Sequence, residues 1–157
     1  MKIGLIGSAG CGKGYVAKKL SKELNIPYLS SKDITRPFLK RYGYIYKDND
    51  YVEDALSRHE FEIVDERIYE ESLLKGGFVT DRTTLECFCY AFFSINSYSE
   101  EEFDRLEKMC KEDLIQYDWL FYFPLRGAWF ESNEIRTMNY NVQRKMDILI
   151  RGMIEEW

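Results

Sequence analysis

The 157-residue chain has little of the chemistry that metal sites and disulfide frameworks require. It contains a single histidine, His59, and its four cysteines include no C-x-x-C pair, so we expect neither a structural zinc site nor a set of disulfide bonds. The formal net charge is −5 and Lys and Arg form no blocks, which argues against a nucleic acid polymer as partner. No apolar run is as long as a membrane span, and the first residues do not resemble a secretory signal. We therefore expect a cytoplasmic protein that does not bind membranes.

What the chain does have is a cluster of glycines near its start, with the spacing Gly7-x-x-x-x-Gly12-Lys13. Backbone N–H groups can wrap a phosphate only where no Cβ intrudes, and a helix that begins near Lys13 points its positive end at the anion. An ordinary turn with several glycines is the alternative, but an apolar strand precedes the cluster and a helix follows it, as a phosphate-binding loop requires. The residues assigned to the nucleotide phosphates are Gly7, Ser8, Ala9, Gly10, Cys11, Gly12, Lys13, Gly14 and Tyr15.

Gly14 stands where most loops of this type carry the Ser or Thr that ligates Mg²⁺. A magnesium ion bound here would therefore depend on water, phosphate oxygens and a carboxylate. Asp81 ends an apolar stretch that is typical of a buried strand, and ligands bind at the carboxyl ends of the strands in open α/β sheets. Asp81 is therefore the expected metal ligand.

Short apolar stretches alternate with helix-periodic stretches along the chain. Strands are predicted over 2–7, 27–30, 78–81 and 118–123, and helices over 13–24, 31–42, 51–75, 99–116, from about 137 to the end, and after Thr83 or Thr84. Pro37 predicts a kink or a late start in the second helix. This alternation implies parallel βαβ units, so we expect one domain over 1–157 with a three-layer α/β/α fold and a short parallel sheet. The helix after Thr83 or Thr84 is apolar nearly all round, which places it in the core or at the interface of a homodimer.

The segment after the second predicted strand reads LSSKDITR and contains Ser30, Ser31, Asp33 and Arg36. Here the chain resembles the P-loop nucleoside and nucleotide kinases, because adenylate kinases carry a Ser-Thr-Gly-Asp-x-x-Arg segment after the same strand. Their phosphate loop also reads Gly-Lys-Gly, so Gly14 is regular in this family. The resemblance implies that Ser31 and Arg36 hold the acceptor nucleotide. Taken alone, a helix cap at Ser31 and a solvated Arg36 explain the segment equally well.

Two further segments carry the resemblance. Asp81-Arg82, followed by a helix with a Tyr-Ala pair, is similar to thymidylate kinases and nicotinamide-riboside-kinase-like domains. In those families the arginine would grip the acceptor or the transferring phosphoryl group, which implies this role for Arg82. Kinases of this class also place a lid after the fourth strand, at about 124–138 here. The resemblance implies that Arg126 and Arg136 close on the phosphates from that lid.

The expected function is ATP-dependent phosphoryl transfer to a small nucleotide, with a (deoxy)nucleoside monophosphate as the preferred acceptor and ATP and Mg²⁺ as cofactors. The residues expected to take part in catalysis are Lys13, Asp33, Arg82, Arg126 and Arg136. A nucleoside or nicotinamide riboside kinase is the alternative, and there Asp33 would accept the proton of the attacking hydroxyl. A regulator that binds a nucleotide without turning it over is a third reading, since family members usually continue into a fifth strand that is not evident here.

Overall fold

The computed structural model describes residues 1–41, 58–126 and 140–157. Its described part contains a parallel sheet of four strands in the order β2-β3-β1-β4. The strands are β1 (Lys2–Ile6), β2 (Tyr28–Leu29), β3 (Phe78–Thr80) and β4 (Trp119–Tyr122). The predicted α/β fold with a short parallel sheet is confirmed, and each strand is one or two residues shorter than its sequence pattern predicts.

The strands are in a register that brings their carboxyl ends to one edge of the sheet. Thr80, the last residue of β3, lies opposite Gly4 of β1 and Leu29 of β2. On the other side of β1, Ile6 lies opposite Tyr122, so β1 and β4 end together. The segments that follow the four strands therefore meet along this edge, which is where open α/β sheets bind their ligands.

Helices cover both faces of the sheet. They are α1 (Lys13–Leu24), α2 (Ser31–Arg41), α3 (Glu60–Leu73), α4 (Thr84–Ala91), α5 (Glu100–Leu114) and α6 (Tyr140–Glu156), with a short 3₁₀ segment at Phe92–Ser97. Because side chains alternate along a strand, Leu5 packs with Ala17 of α1 on one face, and Ile6 packs with Leu85 of α4 and Met146 of α6 on the other. Within the described residues no helix is both long and apolar enough to cross a bilayer.

All eight residues of α4 are buried, as its apolar composition predicts. The helix packs against α3, α5 and α6 of the same chain. Phe88, near its middle, contacts Phe92 and Phe103 with ring centroids 5.3 and 5.0 Å apart. Of the two predicted locations for this helix, the core is therefore the one observed, and α4 needs no second subunit to be covered.

One helix differs from its predicted form. Helix α2 continues through Pro37 without interruption, although proline inside a helix removes a hydrogen bond and costs about 3 kcal/mol. Ile34 and Phe38, 3% and 4% exposed, flank the proline and bury the same side of the helix, so core packing holds the helix together there. Helix α3 begins at Glu60, and the predicted start at residue 51 lies outside the described residues.

Candidate active site

The segment between β1 and α1 has a positive φ, which favours glycine, at Gly7, Gly10 and Gly12. Gly7 has a φ of +150°, and a Cβ there would lie 2.4 Å from the carbonyl oxygen of Phe123. Gly12 has a φ of +90° and forms the N-cap of α1, so no side chain caps the first N–H groups of that helix. Those N–H groups are the donors that an anion needs. The segment thus has the backbone conformation that the predicted phosphate loop requires.

The side chain of Lys13 bends back into the loop and is 8% exposed. Its Nζ donates hydrogen bonds to the carbonyl oxygens of Gly7 and Ser8, the latter at 2.8 Å. The carboxylate of Glu86 lies 3.7 Å from the same Nζ. Because neutral carbonyls are weak partners for an ammonium group, a phosphate can replace them as the partner of Lys13.

Cys11 also lies inside the loop, where its Sγ donates a hydrogen bond to the carbonyl oxygen of Ser8 at 3.0 Å. All four cysteines of the chain are free thiols. Cys11 is partly exposed, whereas Cys87, Cys89 and Cys110 are buried. Burial raises the pKa of these three thiols above the ordinary value, so they remain protonated at neutral pH.

A polar cavity of about 440 Å³ opens beside the loop at the carboxyl end of the sheet. Its lining consists of Ala9, Gly10, Cys11, Gly12, Lys13, Gly14, Tyr15, Lys18, Tyr28, Ser30, Ser31, Lys32, Asp81 and Arg82. The structure therefore brings together the phosphate loop, the start of α2 and the Asp-Arg pair after β3. Four of the lining residues are cationic: Lys13, Lys18, Lys32 and Arg82. Such a cavity suits a ligand with more than one anionic group.

Asp81 lies between the phosphate loop and the start of α2. Its Oδ2 accepts a hydrogen bond from the Tyr28 hydroxyl at 2.7 Å, and its Oδ1 accepts one from the Ser31 backbone N–H at 2.8 Å. Burial by itself raises the pKa of Asp81, but these hydrogen bonds and the nearby Arg82 guanidinium lower it below the ordinary value. A Cβ on Gly14 would lie 3.1 Å from Oδ2, so the carboxylate occupies the space beside the loop where most phosphate loops carry the side chain of Ser or Thr.

An ionised carboxylate at this position fits a magnesium ion. Magnesium prefers hard oxygen ligands and keeps several waters when it binds beside phosphates. Among residues 1–41, 58–126 and 140–157 no group of three or more His, Cys, Asp or Glu could hold a metal by itself. The residues around Asp81 therefore fit an ion that takes its other ligands from phosphate and water.

Comparison with known proteins agrees with this geometry. A family model described as an AAA domain matches residues 6–86, just over half of the chain. The chain belongs to this family, one of the P-loop nucleotide kinases. Similar curated proteins include the adenylate kinase of Wigglesworthia glossinidia brevipalpis, which is 39% identical over 83 residues, or 52% of this chain and 38% of the relative. The adenylate kinase of Bartonella tribocorum is 34% identical over 88 residues, or 52% of this chain and 44% of the relative. The match thus spans less than half the length of these relatives.

Solved structures of similar fold cover nearly the whole chain. The structure of deoxyadenosine kinase from M. mycoides with bound dATP has a TM-score of 0.65 at 15% sequence identity, over 99% of this chain and 84% of that one. The structure of NadR protein in complex with NR has a TM-score of 0.61 at 18% identity, over 98% of this chain and 40% of that one. The fold of this P-loop kinase family therefore extends beyond the matched residues to both ends of the described chain.

Arg82, which directly follows Asp81 after β3, is held from two sides. Its guanidinium lies 4.9 Å from the ring centroid of Tyr90, in a cation–π contact. Its carbonyl oxygen accepts hydrogen bonds from Arg67 Nη1 at 2.7 Å and from the Thr80 hydroxyl at 2.8 Å. Arg67 is fully buried. The backbone that presents Arg82 to the cavity is therefore fixed by a charged residue inside the core.

Sequence reasoning missed Arg67 and its buried partners. Tyr117 donates a hydrogen bond to Glu71 at 2.6 Å, and Glu71 Oε1 lies 3.5 Å from Arg67 Nη1. Burial raises the pKa of Glu71 to about 7 and that of Glu60 to about 8. The sequence signal that could have revealed this network is the helical spacing of its charged residues. The buried residues of α3 recur with that spacing and are Glu60, Ile63, Val64, Arg67 and Glu71. Charged residues in the phase of a core face indicate a buried polar network.

Helix α6 holds two segments of the site. Gln143, which is 1% exposed, accepts a hydrogen bond from the Ala9 N–H of the phosphate loop at 2.8 Å. Asp147, one turn further, accepts hydrogen bonds from the Tyr122 hydroxyl at 2.6 Å and from the Leu125 N–H at 3.0 Å. The last described helix therefore fixes both the loop and the segment after β4.

The remaining predicted site residues lie outside the polar cavity. Asp33 and Arg36 are exposed on α2 and do not line it. Arg126 is exposed after β4 and borders a second cleft, described below. Arg136 and most of the predicted lid at 124–138 lie outside the described residues. The roles of these residues remain predictions.

The second cleft lies on the other side of the phosphate loop, between α1 and β4, and has a volume of about 840 Å³. Its lining consists of Leu5, Gly10, Cys11, Gly12, Val16, Leu20, Phe121, Tyr122, Phe123, Pro124 and Arg126. Apolar side chains make up most of this wall, and flat aromatic rings offer surfaces on which a planar base can stack. The phosphate loop thus separates a cationic cavity from an apolar cleft.

Proposed function

We propose that the protein catalyses ATP-dependent phosphoryl transfer to a small nucleotide, with a (deoxy)nucleoside monophosphate as the preferred acceptor. The observation that carries the proposal is the polar cavity, in which four cationic side chains and the phosphate loop share about 440 Å³. Phosphoryl transfer depends on positioning and charge neutralisation more than on covalent chemistry. A cavity of this kind accommodates the phosphates of a donor together with the phosphate of an acceptor.

On the donor side, the backbone N–H groups of the loop and the start of α1 bind the ATP phosphates. Lys13 leaves the loop carbonyls and neutralises the charge on the transferring group. Asp81 holds Mg²⁺ through its carboxylate and water, and the ion when bound neutralises charge on the phosphate oxygens. The adenine stacks in the apolar cleft beside Phe121, with Arg126 at its border.

On the acceptor side, Ser31 and Arg82 bind the acceptor phosphate. Both line the polar cavity, and Asp81 fixes the Ser31 backbone. Arg82 presents a planar guanidinium that can bind two phosphate oxygens at once. Arg36 completes this clamp from α2 when the acceptor is bound. The chain is similar to adenylate kinases, and adenylate, the acceptor in that name, is a nucleoside monophosphate. This similarity supports the same class of acceptor here.

A nucleoside or nicotinamide riboside kinase is the second candidate. It is favoured by the fold comparison, because the chain covers 84% of the deoxyadenosine kinase structure and only part of the adenylate kinases. A nucleoside acceptor needs a base for its hydroxyl proton, and Asp33 on α2 is the residue predicted for that step. A monophosphate acceptor attacks with an oxygen that is already anionic.

One screen tests these alternatives together. ATP-dependent ADP release is measured with each nucleoside and each nucleoside monophosphate, and thermal stabilisation by each ligand is recorded alongside. We expect release with one or more monophosphates and little with free nucleosides. Release with nucleosides alone would support the second candidate, and stabilisation by ATP without any ADP release would support a non-catalytic regulator.

A further inference from the structure

We propose that Glu86 is a positioning residue that joins the phosphate loop to the Asp81-Arg82 segment. One of its carboxylate oxygens fixes Gly7 and Lys13, while the other fixes Thr83 at the start of α4. The kinetic part of this inference rests on the proposed function. The structural part concerns the chain alone and can be tested without a nucleotide.

The two oxygens of Glu86 serve different parts of the molecule. Oε1 accepts a hydrogen bond from the Gly7 N–H at 3.2 Å and lies 3.7 Å from Lys13 Nζ. Oε2 accepts hydrogen bonds from the Thr83 N–H at 2.7 Å and from the Thr83 hydroxyl at 2.8 Å. The side chain is 1% exposed, so these contacts are made out of reach of bulk water. Polar contacts in such surroundings are stronger than on the surface.

A second capping box in the same chain shows what helix capping alone requires. At the start of α5, Glu102 accepts hydrogen bonds from the Ser99 N–H at 2.8 Å and the Ser99 hydroxyl at 2.9 Å, again through Oε2 alone. Capping therefore uses one oxygen of the glutamate. The contacts of Glu86 Oε1 with the loop come in addition to capping, and they connect residues 79 positions apart in the chain.

The charge of Glu86 matters because Lys13 is buried. Its other partners in the loop are the neutral carbonyls of Gly7 and Ser8 and the Sγ of Cys11, which accepts a hydrogen bond at 3.7 Å. A buried ammonium without a countercharge is costly, and in the described part of the chain Glu86 supplies the one carboxylate within ion-pair distance of Lys13. Thr83 directly follows Asp81 and Arg82 in the chain. If Lys13 moves toward a phosphate, its contact with Glu86 changes, and Glu86 is hydrogen-bonded to Thr83. The movement is therefore transmitted to the segment that carries Arg82.

The first experiment measures amide hydrogen exchange in residues 7–13 of the full chain without nucleotide. Glu86→Gln removes the charge and leaves one set of donors without an acceptor, so we expect exchange at these amides to become about tenfold faster. Glu102→Gln is the matched control, because it alters the same position of a capping box far from the loop. It should leave exchange in the loop unchanged. Equal loop exchange in Glu86→Gln and in the unmodified protein would overturn the proposal.

The second experiment measures the Kd of a non-hydrolysable ATP analogue in the presence of magnesium. It also measures kcat and the KM of the acceptor. We expect Glu86→Gln to weaken analogue binding about tenfold and to raise the acceptor KM as well, because both sites depend on this carboxylate. An effect no larger than that of Glu102→Gln contradicts the coupling. If the unmodified protein binds no analogue, the proposed function fails, and the exchange experiment still decides the role of Glu86.

A double variant settles the case in which Glu86→Gln does not fold. The proposal attributes that failure to an unpaired ammonium, so removing the ammonium should restore folding. We therefore expect Lys13→Met/Glu86→Gln to give a cooperative thermal transition. A double variant that remains unfolded would show that Glu86 supports the core independently of Lys13, which is the opposite of the role proposed.

Discussion

The phosphate loop lies between two cavities of opposite character. The cavity on the side of β3 is lined by Lys13, Lys18, Lys32 and Arg82 in about 440 Å³. The cleft on the side of β4 is larger, about 840 Å³, and is lined mostly by apolar side chains. A nucleotide has the same division, with charge at its phosphates and a flat apolar ring at its base. The difference shows how one short loop can serve as the boundary between charge recognition and ring recognition.

The largest expected effect concerns Lys13, which lies on the boundary itself. In the proposed function Lys13→Ala removes the charge that acts on the transferring group, and such a loss commonly lowers kcat about 100- to 1000-fold. Steady-state ADP release measures it, with Lys22→Ala as a control because Lys22 is exposed in the last turn of the same helix. Unchanged turnover in Lys13→Ala would favour the non-catalytic regulator.

Arg82 tests the cationic side of the comparison. Arg82→Lys keeps the charge and loses the planar fork, so we expect the acceptor kcat/KM to fall about 10- to 100-fold while the Kd of ATP stays nearly constant. Arg105→Lys is a close control, because Arg105 also lies 4.9 Å from an aromatic ring, that of Phe61, and does not line either cavity. Weaker ATP binding with normal acceptor kinetics would move Arg82 to the donor side.

Arg36 provides the same test for α2. Arg36→Lys should lower the acceptor kcat/KM as Arg82→Lys does but by a smaller factor, because Arg36 is exposed and lies outside the cavity lining.

Asp33→Asn distinguishes the two classes of acceptor. With a monophosphate acceptor we expect kcat to fall less than about tenfold, whereas the loss of a general base for a nucleoside would cost about 100-fold or more. Kinetics with thymidine, deoxycytidine and their monophosphates distinguish these outcomes.

The smallest expected effect concerns the apolar cleft. Phe121→Ala removes a ring from its wall, and one aromatic contact is worth about 1 kcal/mol, so the KM for ATP should rise about fivefold at constant acceptor KM. Trp119→Ala is the control, since Trp119 stacks on Phe121 at 6.3 Å and does not line the cleft. A rise in the acceptor KM instead would show that the two cavities are assigned in the wrong order.

The residues that line the polar cavity were more predictable from sequence than the residues that hold the phosphate loop in place. The glycine spacing, together with the strand before it and the helix after it, predicts the phosphate loop, because these are local properties of the chain. The strand ends that meet the loop followed from the α/β pattern, and so did the position of Asp81 beside Gly14. The contacts of Glu86 with Gly7 and of Gln143 with Ala9 join residues 79 and 134 positions apart. No periodicity or spacing encodes such pairs, since they depend on how the helices pack.

The residues of α2 that are predicted to bind the acceptor show a second limit of sequence reasoning. A motif specifies which residue types follow a strand, but helix phase decides which of them face the site. Ser31, the first residue of α2, lines the polar cavity, while Asp33 and Arg36 lie on the exposed surface of the helix. Ile34 and Phe38 fix that phase, because both must be buried in the core.

The distribution of thiols makes the loop chemically addressable. Three of the four cysteines are buried, and the fourth, Cys11, is partly exposed within the loop. An alkylating reagent in limiting amount will therefore mark Cys11 first, with no need to engineer a reactive position. A small fluorophore attached there reports on both cavities at once, since Cys11 lines each of them. Protection of this thiol by a ligand gives a footprint of occupancy that can be read by intact mass, before any acceptor is known.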